Sequence, residues 1–143
     1  MFHSCFISYA SKDDSFARQL HSDLTAGGVD CWFAPEDLKI GDDTRSALDE
    51  AILKKAKLLL ILSQHSVNSA WVRKEVETAF ERERLSPKTL VLFPIRIDDA
   101  VMKTSEAWAA DIRRMRHIGD FRRWKDLKMY SKALDRLLRD LAA

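Results

Sequence analysis

A chain of 143 residues, 46% apolar and 32% charged, is long enough to bury one core and too apolar to stay disordered, so residues 1–143 are expected to form a single domain. With 24 basic and 22 acidic residues the net charge is +2, too weak a field to imply nucleic acid as a partner. No apolar run is long enough to cross a bilayer, and "MFHSCFISYA" lacks the charged and apolar regions of a signal peptide; a cytoplasmic protein without membrane association is expected.

The pattern along the chain alternates between two periods. "SCFISYA" reads as a strand ending in polar residues. "SKDDSFARQLHSDLTAGG" reads as a helix, with Phe16, Leu20 and Leu24 recurring every four residues and Gly27 and Gly28 stopping it. "VDCWFA" is a short strand and "PEDLKIGDD" a polar loop, after which Asp42 or Asp43 caps a helix through Leu48, Ile52 and Leu53. "KLLLILS" is a continuous apolar run, as expected of a strand covered on both faces. The next helix, around "SAWVRKEVETA", places Val72, Val76, Ala79 and Phe80 on one stripe. "TLVLFPIRI" is a further buried strand, although Pro94 argues against a central position. "SEAWAADIRRM" reads as a short helix and "RHIGDF" as a short strand. A last helix from about Asp126 to Leu141 presents Tyr130, Leu134, Leu137, Leu138 and Leu141 on one face.

Strands and helices alternate about five times, which predicts an α/β, flavodoxin-like three-layer fold: a five-stranded parallel sheet in the order 2-1-3-4-5 with helices on both faces. In such sheets ligands bind outside the carboxyl ends of the strands, at the switch point between the first and third. Two loops flank that point, "YASKDD" and "SQHSVNS", and the third helix starts just after the second of them. Trp71 and Glu75 then lie side by side in its first two turns, on a stripe separate from the core-facing one, with Glu75 at the mouth of an open crevice.

Cys5 and Cys31 have no CxxC partner and read as reduced, buried, small apolar residues. The four histidines lack metal-ligand spacing, so no metal is expected. The basic run "RRMRHIGDFRRWKDLK" reads as a solvated face, with an acidic partner or a phosphate-bearing ligand as the other reading.

One carboxylate and one indole suit a narrow range of chemistry. Ordinary glycosidases need two carboxyl groups, because the departing alkoxide must be protonated. In NAD+ the leaving group is a pyridinium, which departs neutral and needs no proton. The positive charge left on the ribose needs a nearby anion, which Glu75 supplies, and Trp71 offers a flat face for a ring. On spacing alone another account stands beside this one: Trp71 as an anchor at the core edge, and Glu75 as a carboxylate favoured by the helix dipole.

Four stretches in order resemble the TIR domain (Toll/interleukin-1 receptor type), the bacterial members above all, over nearly the whole chain. "CFISYASKDD" is similar to the first box of that family, and "LTAGGVDCWFAPEDLKIGD" to its second strand and BB loop. "LLLILSQHSVNSAWVRKEVETA" is similar to its third strand and WxxxE helix, and "DFRRWKD" to its third box. The resemblance implies that Glu75 is the glutamate essential for NAD+ cleavage. It implies that Trp71 stacks on the substrate and helps decide between hydrolysis and cyclisation of ADP-ribose. Tyr9, Ala10 and Ser11 map onto the wall contacting the nucleotide, and Phe33 onto an aromatic position at the pocket edge. NAD+ is then the substrate, no cofactor is required, and other TIR domains are partners through the BB loop, residues 34–43. Kinship with bacterial members points to immune signalling or antiphage defence, with activation by self-association. The chain departs from many members in carrying Ala34 and Pro35 where an acid follows the aromatic, and its basic residue after the first strand is shifted to Lys12.

Two other functions compete. A non-catalytic TIR adaptor would act only by binding other TIR domains. A nucleoside deoxyribosyltransferase-like hydrolase would share the layout and a glutamate but leave the BB-loop stretch unexplained. A phosphoreceiver needs an aspartate where Ser63 stands, and a flavodoxin needs a phosphate loop that "YASKDD", without glycine, does not form.

Overall fold

The computed structural model describes residues 5–33, 57–87 and 89–142, with the backbone but not the side chain of Phe33. Strand β1 (Cys5–Ser8) leads through a 3-10 turn (Ser11–Asp13) into α1 (Asp14–Ala26) and β2 (Cys31–Phe33). Strand β3 (Lys57–Leu62), α2 (Ala70–Leu85), β4 (Leu92–Arg96), α3 (Ala100–Lys103), α4 (Ala107–Met115), β5 (Gly119–Asp120) and α5 (Leu127–Ala142) follow. All pairings are parallel and the strand order is β2-β1-β3-β4-β5, the expected topology. The helix expected through Leu48, Ile52 and Leu53, and the loop 34–43, lie outside the described residues.

Side-chain alternation divides the core into two layers. On one face Cys5, Ile7, Leu59, Ile61 and Ile95 meet α1 and α5. On the other, Phe6, Leu58, Leu60, Leu62 and Leu92 meet α2, α3 and α4. Every residue of β3 is buried, as its continuous apolar run requires. Burial of each leucine there contributes about 1.5–3 kcal/mol before entropy is counted. The strand's one charged residue, Lys57, extends its ammonium to the Leu141 carbonyl at 2.5 Å, at the negative end of α5. Cys5 and Cys31 are free, buried and directly opposite one another on β1 and β2. A hydrogen bond with the Cys31 thiol, and then burial, pushes the Cys5 thiol well above its ordinary range.

Helix ends follow the local chemistry. Gly27 caps α1 and Gly28 takes φ 89°, a left-handed conformation that glycine adopts without cost. Asp126 starts α5, its carboxylate accepting the backbone N–H groups of Lys128 at 3.1 Å and Met129 at 3.3 Å. Pro94 fits a central strand for a specific reason. The N–H of Leu58 bonds the Val91 carbonyl and the N–H of Ile97 bonds the Leu62 carbonyl, so odd-numbered positions of β4 face β3. Pro94 therefore turns its missing donor toward β5, whose two-residue ladder begins only at Ile95. The strand expected over "RHIGDF" shortens to Gly119–Asp120; Arg116 instead caps α4, its N–H bonding the Ile112 carbonyl at 2.8 Å, while its side chain pairs with Glu83. The short α3 carries no pattern in the sequence; Asp98 begins it by accepting the N–H of Ala100 at 2.9 Å.

Tyr130 is buried and its hydroxyl donates to Asp23 at 2.6 Å, joining α5 to α1. Burial first, and the Asp23 carboxylate second, raise the phenol above its ordinary pKa. A raised folded-state pKa adds stability in full below the unfolded value of about 10 and loses it as pH climbs beyond that. Tyr130→Phe is expected to cost about 1–2 kcal/mol at neutral pH and to weaken the alkaline loss of stability. Urea unfolding of both proteins from neutral pH upward checks this.

Candidate functional site

The crevice follows from the two layers. After β1 the chain crosses to the α1 face, and after β3 to the α2 face, so the loops at their carboxyl ends diverge. Ser8 ends β1. By alternation Ser8 shares the α2 face with Phe6, while Tyr9 packs on the opposite layer. Val72, Val76 and Ala79 seat α2 on the sheet and are fully buried. That seating carries Glu75 over the end of β1, where the Ser8 hydroxyl donates to its Oε1 at 2.6 Å and lies 3.2 Å from Oε2.

Glu75 is 1% exposed, which corrects the expectation of a carboxylate at the mouth of an open crevice. A periodicity argument assigns a charged side chain to the margin of a helix by default. Here the position is buried, and a donor on the neighbouring strand gives the carboxylate a hydrogen bond out of water. Trp71, one turn earlier, is half-buried against the same core layer. Immediately after Ser8, Tyr9 donates from its hydroxyl to Asp14 at 3.1 Å, and Ala10 is buried. Ser11 is exposed at the start of the 3-10 turn. Phe33 pairs in register with Ile7, so its backbone lies one strand away from the end of β1. The chain thus brings Tyr9, Ala10 and Ser11 to the same sheet end as Glu75, with Ser8 making the direct contact.

A second contact joins the two lips of the crevice, and no motif in the sequence flags it. Asp13 stands at the N-cap of α1 but makes no cap bond with its side chain. It is buried and accepts the Ser63 hydroxyl at 2.5 Å. Ser63 in turn accepts the N–H groups of His65 at 3.0 Å and Ser66 at 3.3 Å, and Ser66 Oγ accepts the N–H of Ser63 at 2.8 Å. Asp98 adds a tie to the loop after β4 by accepting the N–H of Gln64 at 2.8 Å. The segment leading into α2 is therefore fixed by hydrogen bonds on both sides, which sets where Trp71 and Glu75 stand. The only hint in the sequence is the density of short polar residues in "SKDD" and "SQHSVNS".

Elsewhere, the basic run is largely exposed, as a solvated face, with several of its arginines held by local partners. Arg113 donates to the Val101 carbonyl at 2.6 Å, Arg114 pairs with Asp111, and Arg116 with Glu83. Arg122 holds the Asp120 carboxyl down at about 2. A cavity of about 540 Å³ lies by the β4–β5 edge and α5, lined by Phe93, Pro94, Phe121, Lys132 and Arg136 among others. None of its lining residues belongs to β1, to β3 or to the loops that follow them. Among the described residues no helix is long and apolar enough to cross a membrane.

Comparison with known proteins agrees with this layout. The family model described as "TIR domain" matches residues 5–138. The chain is 31% identical over 88 residues to the NAD(+) hydrolase TcpC of Escherichia coli O6:H1, covering 61% of this chain and 29% of that protein. It is 29% identical over 90 residues to the 2' cyclic ADP-D-ribose synthase AbTIR of Acinetobacter baumannii, covering 62% and 34%. It is 33% identical over 91 residues to the 2' cyclic ADP-D-ribose synthase BtTIR of Bacteroides thetaiotaomicron, covering 63% and 31%. The matched stretch is thus about a third of the length of these relatives. The TIR domain of the Toll-related receptor TRR-2 of Hydra magnipapillata has the same fold, with a TM-score of 0.69 over 100% of both chains at 15% identity. A TIR-STING receptor from C. gigas gives a TM-score of 0.69 over 100% of this chain and 41% of that one, at 21% identity. A five-stranded parallel sheet in this order, the ordered run of boxes and a family match across residues 5–138 lead to one conclusion: the chain belongs to the TIR domain family.

Proposed function

We propose that this TIR domain cleaves NAD+ at the nicotinamide–ribose bond, releasing nicotinamide and either ADP-ribose or a cyclic isomer of it. The observation that carries the reading is Glu75, a buried carboxylate bonded to the end of β1, with Trp71 one turn away. On cleavage the bonding electron pair goes to the pyridinium nitrogen, and nicotinamide leaves neutral. The ribose carbon is left electron-poor, and the Glu75 anion in its low-dielectric setting stabilises that charge. Water then adds and loses a proton to give ADP-ribose, or a hydroxyl of the same molecule adds and loses its proton to give a ring. Trp71 stacks on the substrate, and Tyr9, Ala10, Ser11 and Phe33 line the nucleotide side. Similarity to TcpC, an NAD(+) hydrolase, and to AbTIR and BtTIR, two 2' cyclic ADP-D-ribose synthases, supports this reaction class. A role in bacterial immune signalling or antiphage defence fits the same kinship.

Because Glu75 is closed off from solvent, NAD+ reaches it only when neighbouring segments shift, and association of TIR domains through residues 34–43 is the proposed trigger. Burial of Glu75 also favours a second reading, a non-catalytic module that acts by TIR–TIR binding alone. Incubation of pure protein with NAD+ across about two decades of protein concentration, wide enough to resolve micromolar association, separates the two. Specific activity is expected to rise with concentration, and Asp37→Ala to blunt the rise without loss of thermal stability. Flat, robust activity would remove the association step, and intact NAD+ at every concentration would favour the binding module.

Trp71→Ala is expected to shift the products toward linear ADP-ribose, if a cyclic species forms in the parent. Its half-buried indole makes a stability loss of about 1–3 kcal/mol the expected size. Product chromatography beside urea unfolding checks both. An unfolded Trp71→Ala protein would make the indole a core anchor instead.

A further inference from the structure

Ser8 is a residue that neither the box resemblance nor the helix pattern singles out as functional, yet it makes a direct contact from β1 to the proposed catalytic carboxylate. Its hydroxyl is 2.6 Å from Glu75 Oε1 and 3.2 Å from Oε2, and both side chains are buried, Ser8 at 5% and Glu75 at 1% exposure. A serine in that position has other bonding options: a strand-end hydroxyl commonly turns to a nearby backbone carbonyl. Here alternation along β1 aims it at α2, in line with Phe6, which packs into the α2 layer. The hydroxyl has a single proton, and giving it to a carboxylate favours the ionised form of that group, whereas burial alone favours the neutral one. A neutral Glu75 would have no charge to offer an electron-poor ribose. The bond also sets the direction of the carboxylate. β1 belongs to the sheet, which is rigidly paired on both sides of the strand, so the anchor does not move with the helix.

We infer that Ser8 is a positioning residue of the site: its hydroxyl holds the Glu75 carboxylate aimed from the end of β1. The inference rests on the NAD+-cleaving reading above. It differs from a packing role, because a packing role needs only the volume of the side chain and a positioning role needs its proton.

Two substitutions separate the roles. Ser8→Ala removes the donor and leaves little space behind. Ser8→Cys fills the same space with a thiol, a weak donor. Both are expected to lower kcat by about ten- to a hundredfold, the rate equivalent of one hydrogen bond to a charged group, with KM for NAD+ nearly unchanged, because the lost interaction acts on charge that forms in the transition state. A readout independent of turnover accompanies the kinetics. In protein labelled with 13C at the glutamate carboxyl carbons, the Glu75 resonance is the one missing from Glu75→Gln. That resonance is expected to move in Ser8→Ala and Ser8→Cys while the other glutamate resonances stay. If Ser8→Ala fails to fold, Ser8→Cys carries the same comparison. Parent-like kcat and an unmoved resonance in Ser8→Cys would overturn the positioning role and leave packing. A parent protein that leaves NAD+ intact under every condition ends the NAD+-cleaving reading and the positioning role with it. An active parent with parent-like Ser8 variants ends the positioning role alone.

Discussion

Replacing Glu75 by glutamine is expected to abolish NAD+ cleavage and leave the fold standing. The two side chains have the same shape, and the amide oxygen still accepts the Ser8 hydroxyl that the carboxylate accepts at 2.6 Å. What disappears is the negative charge. Loss of one preorganised electrostatic group costs at least about 3 kcal/mol of transition-state stabilisation, which is more than about a hundredfold in kcat. Stability is expected to hold or rise slightly, since glutamine does not have to be buried as an ion. Nicotinamide release beside a thermal melt measures both effects. Cleavage at near the parent rate would end the assignment of Glu75, and a collapsed melt would recast the Ser8–Glu75 bond as structural.

The second large effect is on stability. Phe16→Ala is expected to destabilise the protein by about 3–5 kcal/mol, the usual cost of removing a buried phenylalanine. Phe16 is 1% exposed and meets Phe121 and Trp124 edge to face, with ring centroids 5.7 and 5.3 Å away. Such aromatic pairs add to the area buried. Phe121 in turn meets Tyr130 at 6.1 Å, so the "DFRRWKD" stretch that marks the C-terminal box joins α1 to α5 from within the core. The melting temperature is expected to fall by about 10 °C or more. A fall of only one or two degrees would mean that this aromatic cluster is not what holds the two helices together.

The parts of the fold legible in the sequence are those where period and burial agree. Phe16, Leu20 and Leu24 announced α1 because one helix face does nothing but pack, and β3 was legible because both its faces are covered. β5 and α3 were obscured by local contacts that no periodicity encodes, the Arg116 N–H capping α4 at the Ile112 carbonyl in one case and Asp98 accepting the Ala100 N–H in the other. The candidate site divides the same way. Topology and the Trp71–Glu75 spacing pointed to the carboxyl ends of β1 and β3, and the structure sets Glu75 against Ser8 at the end of β1. Burial of Glu75 did not follow from sequence, because it is a tertiary property: a hydrogen-bond donor to it lies 67 positions away. The Asp13–Ser63 contact between the crevice lips was hidden for a similar reason, since each residue alone reads as ordinary loop polarity.

The central claim is that NAD+ binds at the carboxyl ends of β1 and β3, against Glu75. Glu75→Gln makes this directly measurable, because it should bind NAD+ without consuming it. In 15N-labelled Glu75→Gln protein, held at a concentration where the parent cleaves NAD+ and titrated with NAD+, the amide signals of Tyr9, Ala10 and Ser11, and those of residues 63–71, are expected to shift together and saturate with one binding constant. Shifts confined to the cavity by the β4–β5 edge, around His117, Lys132 and Arg136, or no shifts at all, would contradict it.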